Sequence, residues 1–200
     1  MDRRLVRQSK KLSRLLRHRG PDVGLRMDPA GWVEVDELLG HLQITRGDLE
    51  EVVRLNDKQR LQLQGSRIRC CQGHSLDCRA VTREALEASW SRYEGGDSVW
   101  HGTRVEVVEA IARDGILAQN RTHVHLAPAT DSVVGKRAAV AVLLEVSCAR
   151  LRERGHEVFT APNGVILTRH VPAACVVGLR TLSDDARARA RVLRRTLGLG

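Results

Sequence analysis

The chain has 200 residues, of which 42% are hydrophobic, so it can bury a core, which excludes a disordered chain. No apolar run reaches the roughly 20 residues needed to span a bilayer, and no export signal follows the basic N-terminus. The formal net charge of +9 favours polyanionic partners, whereas the few aromatic residues cannot form a base-stacking platform.

These properties set several expectations. The protein should be cytoplasmic, with no membrane association and with reduced cysteine thiols. Contacts between arginine and phosphate should dominate any binding of nucleic acid, because a guanidinium matches phosphate with two parallel hydrogen bonds. An arginine-rich genome is the alternative explanation of the charge.

The first half of the sequence predicts three helices followed by a β-hairpin. Leucines recur at helical spacing over residues 3–17, and "GPDVG" ends that helix. "WVEV" predicts a short strand, "DELLGHL" a second helix, and Thr45 the cap of a third helix. "RLQLQ" and "RIRCCQ" alternate on either side of Gly65-Ser66, which is typical of a tight hairpin. This order of elements predicts a winged-helix module.

Alternation along the second hairpin strand separates its side chains into two faces. Ile68 and Cys70 share one face, and Arg67, Arg69 and Cys71 share the other. The sequence therefore predicts that Arg69 points to a surface and not into the core.

The second half of the sequence is richer in strands. We expect a connecting helix over residues 82–94, and "EGGD" at residues 94–97 is a linker signal. A helix is expected over residues 104–113, and an arginine-rich amphipathic helix from Ser183 to Gly200. Strands are predicted at "SVWHGT", "THVHL", "AAVAVLLEV", "GVILT" and "ACVVGL". The sequence thus predicts an α+β fold with segments 1–94, 95–182 and 183–200.

The segment after the hairpin has residue types that suit a metal or an anion. Cys70, Cys71, His74 and Cys78 are potential zinc ligands, but adjacent strand residues point to opposite faces, which argues against zinc. The turn Gly73-His74-Ser75 could instead offer backbone N–H groups, an imidazole and a hydroxyl to an anion. An ordinary strand end is the alternative interpretation.

Three other segments could also contribute to a site. Alternation in "RTHVHL" places Arg121, His123 and His125 on one face, which suits a strand lining a cleft or a solvated face. In His101-Gly102-Thr103, the glycine permits another group to approach the backbone closely, and the flanking histidine and threonine can supply side-chain hydrogen bonds. Arg17-His18 end a helix, where cations complement the helix dipole.

Together, in this order and spacing, these segments resemble the NAD-dependent RNA 2′-phosphotransferase family of the KptA type. The matching segments are "LSRLLRH", "GWVEVDELL", "IRCCQGHS", "HGT", "RTHVHLAP" and "NGVILT", and the likeness runs from Ser9 to Leu179. It implies that residues 1–94 form a winged-helix RNA-binding lobe and residues 95–182 an NAD-binding ADP-ribosyltransferase-like lobe, with the active site between them. The arginine-rich tail, residues 183–200, falls outside the likeness.

The resemblance also implies a two-step reaction that needs no metal. The 2′-monophosphate of an internal RNA nucleotide attacks the anomeric carbon of the nicotinamide ribose of NAD and expels nicotinamide, which gives a 2′-phospho-ADP-ribosylated RNA. The neighbouring 2″-hydroxyl then attacks the phosphorus and releases 2′-hydroxyl RNA and ADP-ribose 1″,2″-cyclic phosphate. The implied partners are NAD, consumed as a co-substrate, and tRNA-like or other RNA with a 2′-phosphate. We expect a monomer without a protein partner.

Site residues follow from the same resemblance, position by position. The family's catalytic Arg, His, Arg and Arg fall on Arg17, His18, Arg69 and Arg121. Such a set can hold a phosphate and stabilise the charge of its transition state. The positions that match the NAD lobe are His101, Gly102, Thr103, His123 and His125, and those that match a cleft-facing turn are His74 and Ser75.

The chain departs from the family pattern beside these residues. Cys70-Cys71 stands where relatives usually carry Ala-Asn, and Trp100 stands where tyrosine is common. Ala161 and Gln119 replace a frequent serine and a frequent methionine. Because a thiol cannot donate as an amide does, we expect altered NAD affinity with activity retained.

Three other functions stay open on the sequence alone. The first is ADP-ribosyl transfer to the terminal phosphates of RNA or DNA. The second is a winged-helix nucleic-acid binder without enzymatic activity, which accounts for the first half of the chain only. The third is a zinc protein.

Overall fold

The computed structural model describes residues 3–135 and 140–200, and it confirms a mixed α+β fold. The chain divides into two compact units. The first unit extends to Ser91 and includes the later segment Asn120–Thr122, whereas the second comprises Arg92–Gln119 and His123–Gly200. The assignment of segments 1–94, 95–182 and 183–200 to separate functions stays a prediction.

In the part of the first unit that the structure describes, there are four α-helices and a three-stranded antiparallel sheet of order β1-β3-β2. The helices are α1 (Arg3–Arg14), α2 (Val35–Leu42), α3 (Arg46–Arg54) and α4 (Arg83–Ala88), and the strands are β1 (Val33–Glu34), β2 (Leu61–Gln64) and β3 (Arg67–Cys70). A π-helical turn, Leu15–Arg19, continues α1, and a short 3-10 turn, Pro21–Val23, follows it.

Local sequence signals account for most of these elements. Thr45 caps α3, because its side chain accepts from the Asp48 N–H while the Asp48 carboxylate accepts from the Thr45 N–H. Gly65-Ser66 closes the hairpin, so that Gln64 pairs with Arg67 and Leu61 with Cys70. The three helices and the hairpin are therefore confirmed, while the winged-helix assignment stays a prediction.

The core of the first unit collects the apolar faces of α1, α2, α3 and the hairpin. It contains Leu12, Leu16, Leu38, Leu49 and Ile68, all of which are fully buried. Because Leu12 and Leu16 are four positions apart, they lie on one side of α1 and of the π-helical turn that continues it, whereas Lys10, Lys11 and Arg14 are exposed.

The described residues of the second unit form four helices and small antiparallel sheets. Its helices are α5 (Val108–Asp114), α6 (Cys148–Glu153), α7 (Asp184–Ala188) and α8 (Ala190–Thr196). Its strands are β5 (Ser98–Thr103), β6 (Ile116–Leu117), β7 (Val124–Leu126), β8 (Val142–Ser147), β9 (Phe159–Thr160), β10 (Ile166–Thr168), β11 (His170–Val171) and β12 (Val176–Thr181). A further short strand, β4 (Ser91–Arg92), contains the point of division between the units.

Strand β8 is the centre of the second unit. It pairs with β5 on one side and β12 on the other, which gives a sheet of order β12-β8-β5. Its residues Val142, Leu144 and Val146 are fully buried, as expected for a continuous apolar run. The other sheets have orders β4-β9-β10-β7 and β11-β6.

Several predicted elements are shorter than their sequence patterns. The helix expected over residues 82–94 ends at Ala88, and the helix expected over residues 104–113 begins as a 3-10 turn at Val105–Val107. "ACVVGL" also begins as a 3-10 turn, and the tail forms two helices instead of one. The strand expected over residues 138–146 begins at Val142, and its residues 138–139 lie outside the described residues. Apolar pattern alone does not mark where backbone pairing starts.

Within the described ranges, no helix is both long enough and apolar enough to cross a membrane.

All five cysteines are buried as free thiols. Burial raises the pKa of each of them, to about 12 for Cys71 and about 11 for Cys148. The thiolate is the reactive form of cysteine, so these side chains behave as small apolar groups.

We predict that the native protein reacts slowly with a thiol reagent such as Ellman's reagent. A thiol with a pKa of about 12 is ionised to roughly one part in 10,000 at pH 8. Labelling at pH 8 should be at least about 100-fold slower in the folded protein than in guanidinium chloride, where all five thiols become available. Rapid labelling of a cysteine in the native protein would contradict this burial.

Candidate functional site

The end of the first helix changes its winding where two candidate residues lie. Residues Leu15–Arg19 form a π-helical turn, in which the Gly20 N–H donates to the Leu15 carbonyl at 2.7 Å. Such widened turns redirect side chains and are frequent at functional sites. This turn contains Arg17, which is partly buried, and His18, which is exposed.

The turn at residues 73–75 packs against Arg17. The Ser75 N–H donates to the Arg17 carbonyl at 3.1 Å, so this N–H is not directed to an anion as the sequence suggested. Gly73 has a φ of +88°, and a methyl group there would lie 3.2 Å from Arg17 Cζ. Gly73 therefore meets two requirements, a left-handed backbone and space for the guanidinium.

Two residues of this region have buried polar atoms that lack partners in the described part of the chain. The Nε and Nη2 atoms of Arg17 and the Oγ atom of Ser75 are buried without a hydrogen-bond partner among the described residues. Each such atom destabilises the fold by about 1–3 kcal/mol, because it is withdrawn from water and left unpaired. An arginine fork with unsatisfied donors is suited to an anionic ligand.

The segment Asn120–Thr122 brings Arg121 to the first unit. Residues 74–76 pair with it in antiparallel fashion, because the Leu76 N–H donates to the Asn120 carbonyl and the Thr122 N–H to the His74 carbonyl. Arg83 Nε donates to the Thr122 carbonyl at 3.1 Å. Arg121 is exposed, and the strand β7 begins only at Val124. The predicted basic face of one continuous strand is therefore wrong.

The electrostatic setting of His18 shows that cations surround it. Burial lowers the pKa of His18, and the positive charges of Arg17, Arg121 and Arg14 lower it further, whereas Asp77 raises it. The structure thus brings together Arg17, His18 and Arg121, three of the four residues that the family motif singles out.

Arg69 is buried, contrary to the prediction that it points to a surface. Only 3% of the residue is exposed, because Trp32 and the end of α4 cover that face of the hairpin. Its guanidinium lies 4.5 Å from the centre of the Trp32 ring, Nε donates to Gln62 Oε1 at 2.8 Å, and Nη1 donates to Ser89 Oγ at 2.7 Å. Burial lowers its pKa, but a guanidinium remains charged at neutral pH.

The acceptors that hold Arg69 are neutral. Gln62, Ser89 and the Ala30 carbonyl receive its hydrogen bonds, and Arg69 forms no ion pair with any of the described residues. Arg69 and Arg17 both lower the pKa of Cys71, which burial raises, so the two guanidinium groups lie around the same residue. The positive charge of Arg69 is oriented without being neutralised.

A single turn supports both Arg69 and His74. Asp28 Oδ1 accepts from the N–H groups of Ala30 and Trp32, each at 2.9 Å, which fixes the ring of Trp32 and the carbonyl of Ala30. Gly31 in this turn has a φ of +83°, and a methyl group there would lie 2.7 Å from His74 Nε2. His74 is fully buried against it.

The second unit brings together the other candidate residues on β5 and β7. Trp100 and Ala127 exchange backbone hydrogen bonds at 2.8 and 2.7 Å, and His101 Nδ1 lies 3.2 Å from the His125 carbonyl. His101 and His125 are half-buried, whereas Thr103 and His123 are buried. Burial of His123 corrects the prediction that it shares an open face with Arg121.

Gly102 has a packing reason to be glycine. A methyl group at this position would lie 2.8 Å from Cγ2 of Val140, so the space beside the backbone is already filled. The close approach that the sequence indicated is therefore made by a side chain of the same unit.

The three cysteine residues of the predicted metal set contact different atoms. Cys70 Sγ lies 3.9 Å from the Ser13 carbonyl, Cys71 Sγ 3.3 Å from the Gln59 carbonyl and Cys78 Sγ 3.8 Å from Met27 Sδ. Over residues 3–135 and 140–200, no cluster of three or more His, Cys, Asp or Glu side chains could hold a metal ion.

A site of arginine and histidine, with buried donors that lack partners among the described residues, is typical of proteins that bind phosphate groups. A profile of the family described as "RNA 2'-phosphotransferase, Tpt1 / KptA family" matches residues 3–170. The chain belongs to this family, which confirms the resemblance predicted from its motifs.

Relatives from several bacteria agree with this match. A protein of Burkholderia lata called a probable RNA 2′-phosphotransferase is 39% identical over 177 residues, which cover 84% of this chain and 88% of that protein. A protein of Streptomyces coelicolor with the same description is 39% identical and covers 85% of this chain and 93% of its own length. One from Pseudomonas syringae is 40% identical over 82% of this chain and 89% of its own length.

Sequence reasoning missed the residues that support the candidate site. Trp32, Gln62 and Ser89 hold Arg69, although they are separated from it by 37, 7 and 20 positions. Only Gln62 had a local signal, because it lies opposite Arg69 in the hairpin register. Gly31 and Gly73 were visible as turn residues, but not as neighbours of His74 and Arg17.

We predict that Gly73→Ala lowers affinity for a phosphate ligand, because the new methyl group displaces the Arg17 guanidinium. The matched control is Gly24→Ala, which has the same left-handed backbone (φ +84° against +88°) but nothing within 4 Å of the added methyl group. Both should lose about 1–2 kcal/mol of stability from the unfavourable φ. Inorganic phosphate should raise the thermal midpoint of the control but raise that of Gly73→Ala less. Equal shifts would contradict the role of Gly73.

We predict that His18 makes the protein less stable as the pH falls. The pKa of His18 is lowered in the folded protein, so the unfolded chain binds its proton at higher pH, and the free energy of unfolding decreases as the pH falls through about 6.5. Thermal unfolding measured between pH 8 and pH 5 should show that stability declines less steeply with falling pH in His18→Gln than in the unsubstituted protein. Some decline should remain, because burial also lowers the pKa of His156. An unchanged slope would contradict the assignment.

Proposed function

We propose that this chain transfers an internal RNA 2′-monophosphate to NAD, which gives 2′-hydroxyl RNA, ADP-ribose 1″,2″-cyclic phosphate and nicotinamide. The observation that carries the proposal is the buried fork of Arg17, whose Nε and Nη2 donors lack hydrogen-bond partners among the described residues, beside His18 and Arg121. Membership of the RNA 2′-phosphotransferase family supplies the RNA substrate and the class of reaction.

Arg17 and Arg121 are suited to hold the 2′-phosphate. A phosphomonoester has up to two negative charges and three free oxygens, which match the paired N–H groups of guanidinium. The phosphate is itself the first nucleophile, so the role of these side chains is to orient it and not to activate it. The buried Ser75 hydroxyl can donate one more hydrogen bond.

His18 is suited to the second step of the proposed reaction. At neutral pH its lowered pKa favours the neutral imidazole, which can accept a proton or donate one N–H. When the 2″-hydroxyl attacks the phosphorus, it loses a proton, and the departing RNA 2′-oxygen gains one. An imidazole beside the phosphate can take part in this transfer or stay a hydrogen-bond donor.

Arg69 contributes charge in a water-poor setting. Its donors are oriented by Gln62 and Ser89, and its flat face lies on Trp32. A positive charge that is oriented in advance and largely desolvated stabilises developing negative charge more than an exposed one does. We therefore propose that Arg69 acts on the transition state mainly through its electrostatic field.

We propose that the second unit binds NAD through His101, Gly102, Thr103, His123 and His125. The two half-buried imidazoles of His101 and His125 suit hydrogen bonding to ribose hydroxyls or phosphates, and the 3.2 Å contact from His101 Nδ1 fixes its ring. NAD would supply the ribose carbon that accepts the phosphate and the nicotinamide leaving group. In this proposal the two units act as a winged-helix RNA-binding lobe and an ADP-ribosyltransferase-like lobe, and no metal is needed.

We predict that dephosphorylation of an internally 2′-phosphorylated oligoribonucleotide requires NAD and Arg121. Because Arg121 is exposed, Arg121→Ala should leave the fold intact and lower kcat/KM by about 100- to 1,000-fold, the usual loss for one transition-state donor. The control is Arg26→Ala, which removes an arginine side chain that is 89% exposed. Mass spectrometry of the products should show ADP-ribose cyclic phosphate and nicotinamide.

Arg69 requires a different variant. Truncation to alanine would leave Gln62 and Ser89 without their donor, so Arg69→Ala should destabilise the protein as well as inactivate it. Arg69→Lys retains the charge and gives a cleaner comparison.

Phosphate loss that proceeds unchanged without NAD would overturn the proposal. Stable ADP-ribosylated RNA or DNA ends would indicate the terminal-phosphate reaction instead.

A further inference from the structure

A second basic surface lies directly beside Arg17 and His18. These two residues line a concavity together with Lys10, Arg14 and Arg60. Three additional cations are therefore placed next to the proposed phosphate site, and the reaction proposed above gives them no role.

Helical spacing explains how the sequence builds this surface. Lys10 and Arg14 are four residues apart, so they lie on the same side of α1, which leads to Arg17 in the next turn. Leu12 and Leu16 occupy the buried side of the helix. Lys11, which is also exposed, does not line the concavity.

A buried asparagine connects the helix to Arg60. Asn56 Nδ2 donates to Ser9 Oγ at 2.7 Å, and Asn56 Oδ1 accepts from the Arg60 N–H at 2.9 Å. Asn56 and Ser9 are both buried. The positions of α1 and of the loop before β2 are thus fixed relative to each other, which makes the concavity a built feature and not a chance grouping of flexible side chains.

The charges of this concavity are poorly compensated within the protein. Lys10 and Arg14 form no ion pair among the described residues, and Arg60 approaches Asp57 only at 3.6 Å. Like charges four residues apart on a helix destabilise it by a few tenths of a kcal/mol. This unfavourable arrangement becomes favourable when an anion binds between the cations.

We propose that Lys10, Arg14 and Arg60 bind a backbone phosphodiester of the RNA strand that flanks the 2′-phosphate. This inference rests on the proposed function, since it takes the 2′-phosphate to be held at Arg17 and His18. The ligand is a singly charged phosphodiester on a flexible strand, which suits a shallow surface with lysine and arginine side chains. The concavity would thereby make the enzyme prefer an internal 2′-phosphate within a chain over an isolated nucleotide.

The test is direct binding without NAD, so that it does not depend on turnover. Fluorescence anisotropy compares a hexaribonucleotide that has one internal 2′-phosphate with a nucleoside 2′-phosphate, which competes for the same site but lacks flanking phosphodiesters. Lys10→Ala and Arg14→Ala should each weaken binding of the hexamer about 5-fold at 0.1 M salt and make the salt slope shallower by about 0.7. Affinity for the nucleoside 2′-phosphate should fall by less than about twofold in these variants, because this ligand has no flanking phosphodiester for Lys10 or Arg14 to contact.

Lys11→Ala is the matched control, because it removes the same charge from the same helix one position away. It should change binding of the hexamer by less than about twofold, as expected for a charge that makes no phosphate contact. Circular dichroism should show equal helix content in all three variants, since alanine favours helix at exposed positions.

Three results would overturn the inference. Equal losses in Lys10→Ala and Lys11→Ala would mean that only the overall field of the protein acts. Equal losses for the hexamer and the nucleoside would mean that these residues act on the 2′-phosphate. A raised KM for NAD without weaker RNA binding would assign the concavity to the phosphates of NAD. If the hexamer binds as expected but NAD gives no product, the proposed function fails while the RNA site stands.

Discussion

The first unit depends on a constraint of charge: several cations are held together by a small fold that gives them few anionic partners. Arg17, Arg121 and Arg14 all lower the pKa of His18, and Arg69 remains charged while only 3% exposed. Mutual repulsion and desolvation both oppose such an arrangement. Neutral hydrogen-bond acceptors and an aromatic face hold Arg69 without cancelling its charge, and backbone pairing holds the segment that carries Arg121.

The supporting residues show how the constraint is met. Asp28 does not pair closely with Arg69, but organises the turn that carries Trp32 and the Ala30 carbonyl to it. Gly31 in the same turn leaves space for the ring of His74, and Gly73 leaves space for the guanidinium of Arg17. A carboxylate in direct contact with Arg69 would stabilise the fold but would compete with the phosphate of a substrate. The geometry therefore favours ligand binding over internal pairing.

The proposed reaction site and the proposed RNA site differ in how deeply their cations are buried. Arg17, whose buried donors lack partners among the described residues, lies at the centre, and cations on α1 and before β2 lie beside it. The buried groups suit a doubly charged phosphomonoester that must be oriented for chemistry, whereas the exposed groups suit a phosphodiester that only needs to be held. We therefore assign the buried cations to the reaction and the exposed cations to RNA affinity.

The sequence by itself determined the residue types, the order of the motifs and the local elements. Helical spacing predicted α1, the capping box at Thr45 predicted α3, and the two-residue turn predicted the hairpin, because each of these signals acts between near neighbours in the chain. Motif order was enough to predict the family. The same local rules predicted an exposed Arg69 and a continuous strand through Arg121, and both predictions were wrong.

Only the tertiary structure decided which side chains are covered and which segments meet. Trp32 and Ser89, which are distant in sequence, cover Arg69. Residues 74–76 form backbone hydrogen bonds with Asn120–Thr122, and this segment belongs to a different unit from the strand that follows it. Alternation tells which face of a strand a side chain occupies, but not what packs on that face. Long-range contacts leave no periodic signal in the sequence, since they depend on the sum of many packing choices along the chain.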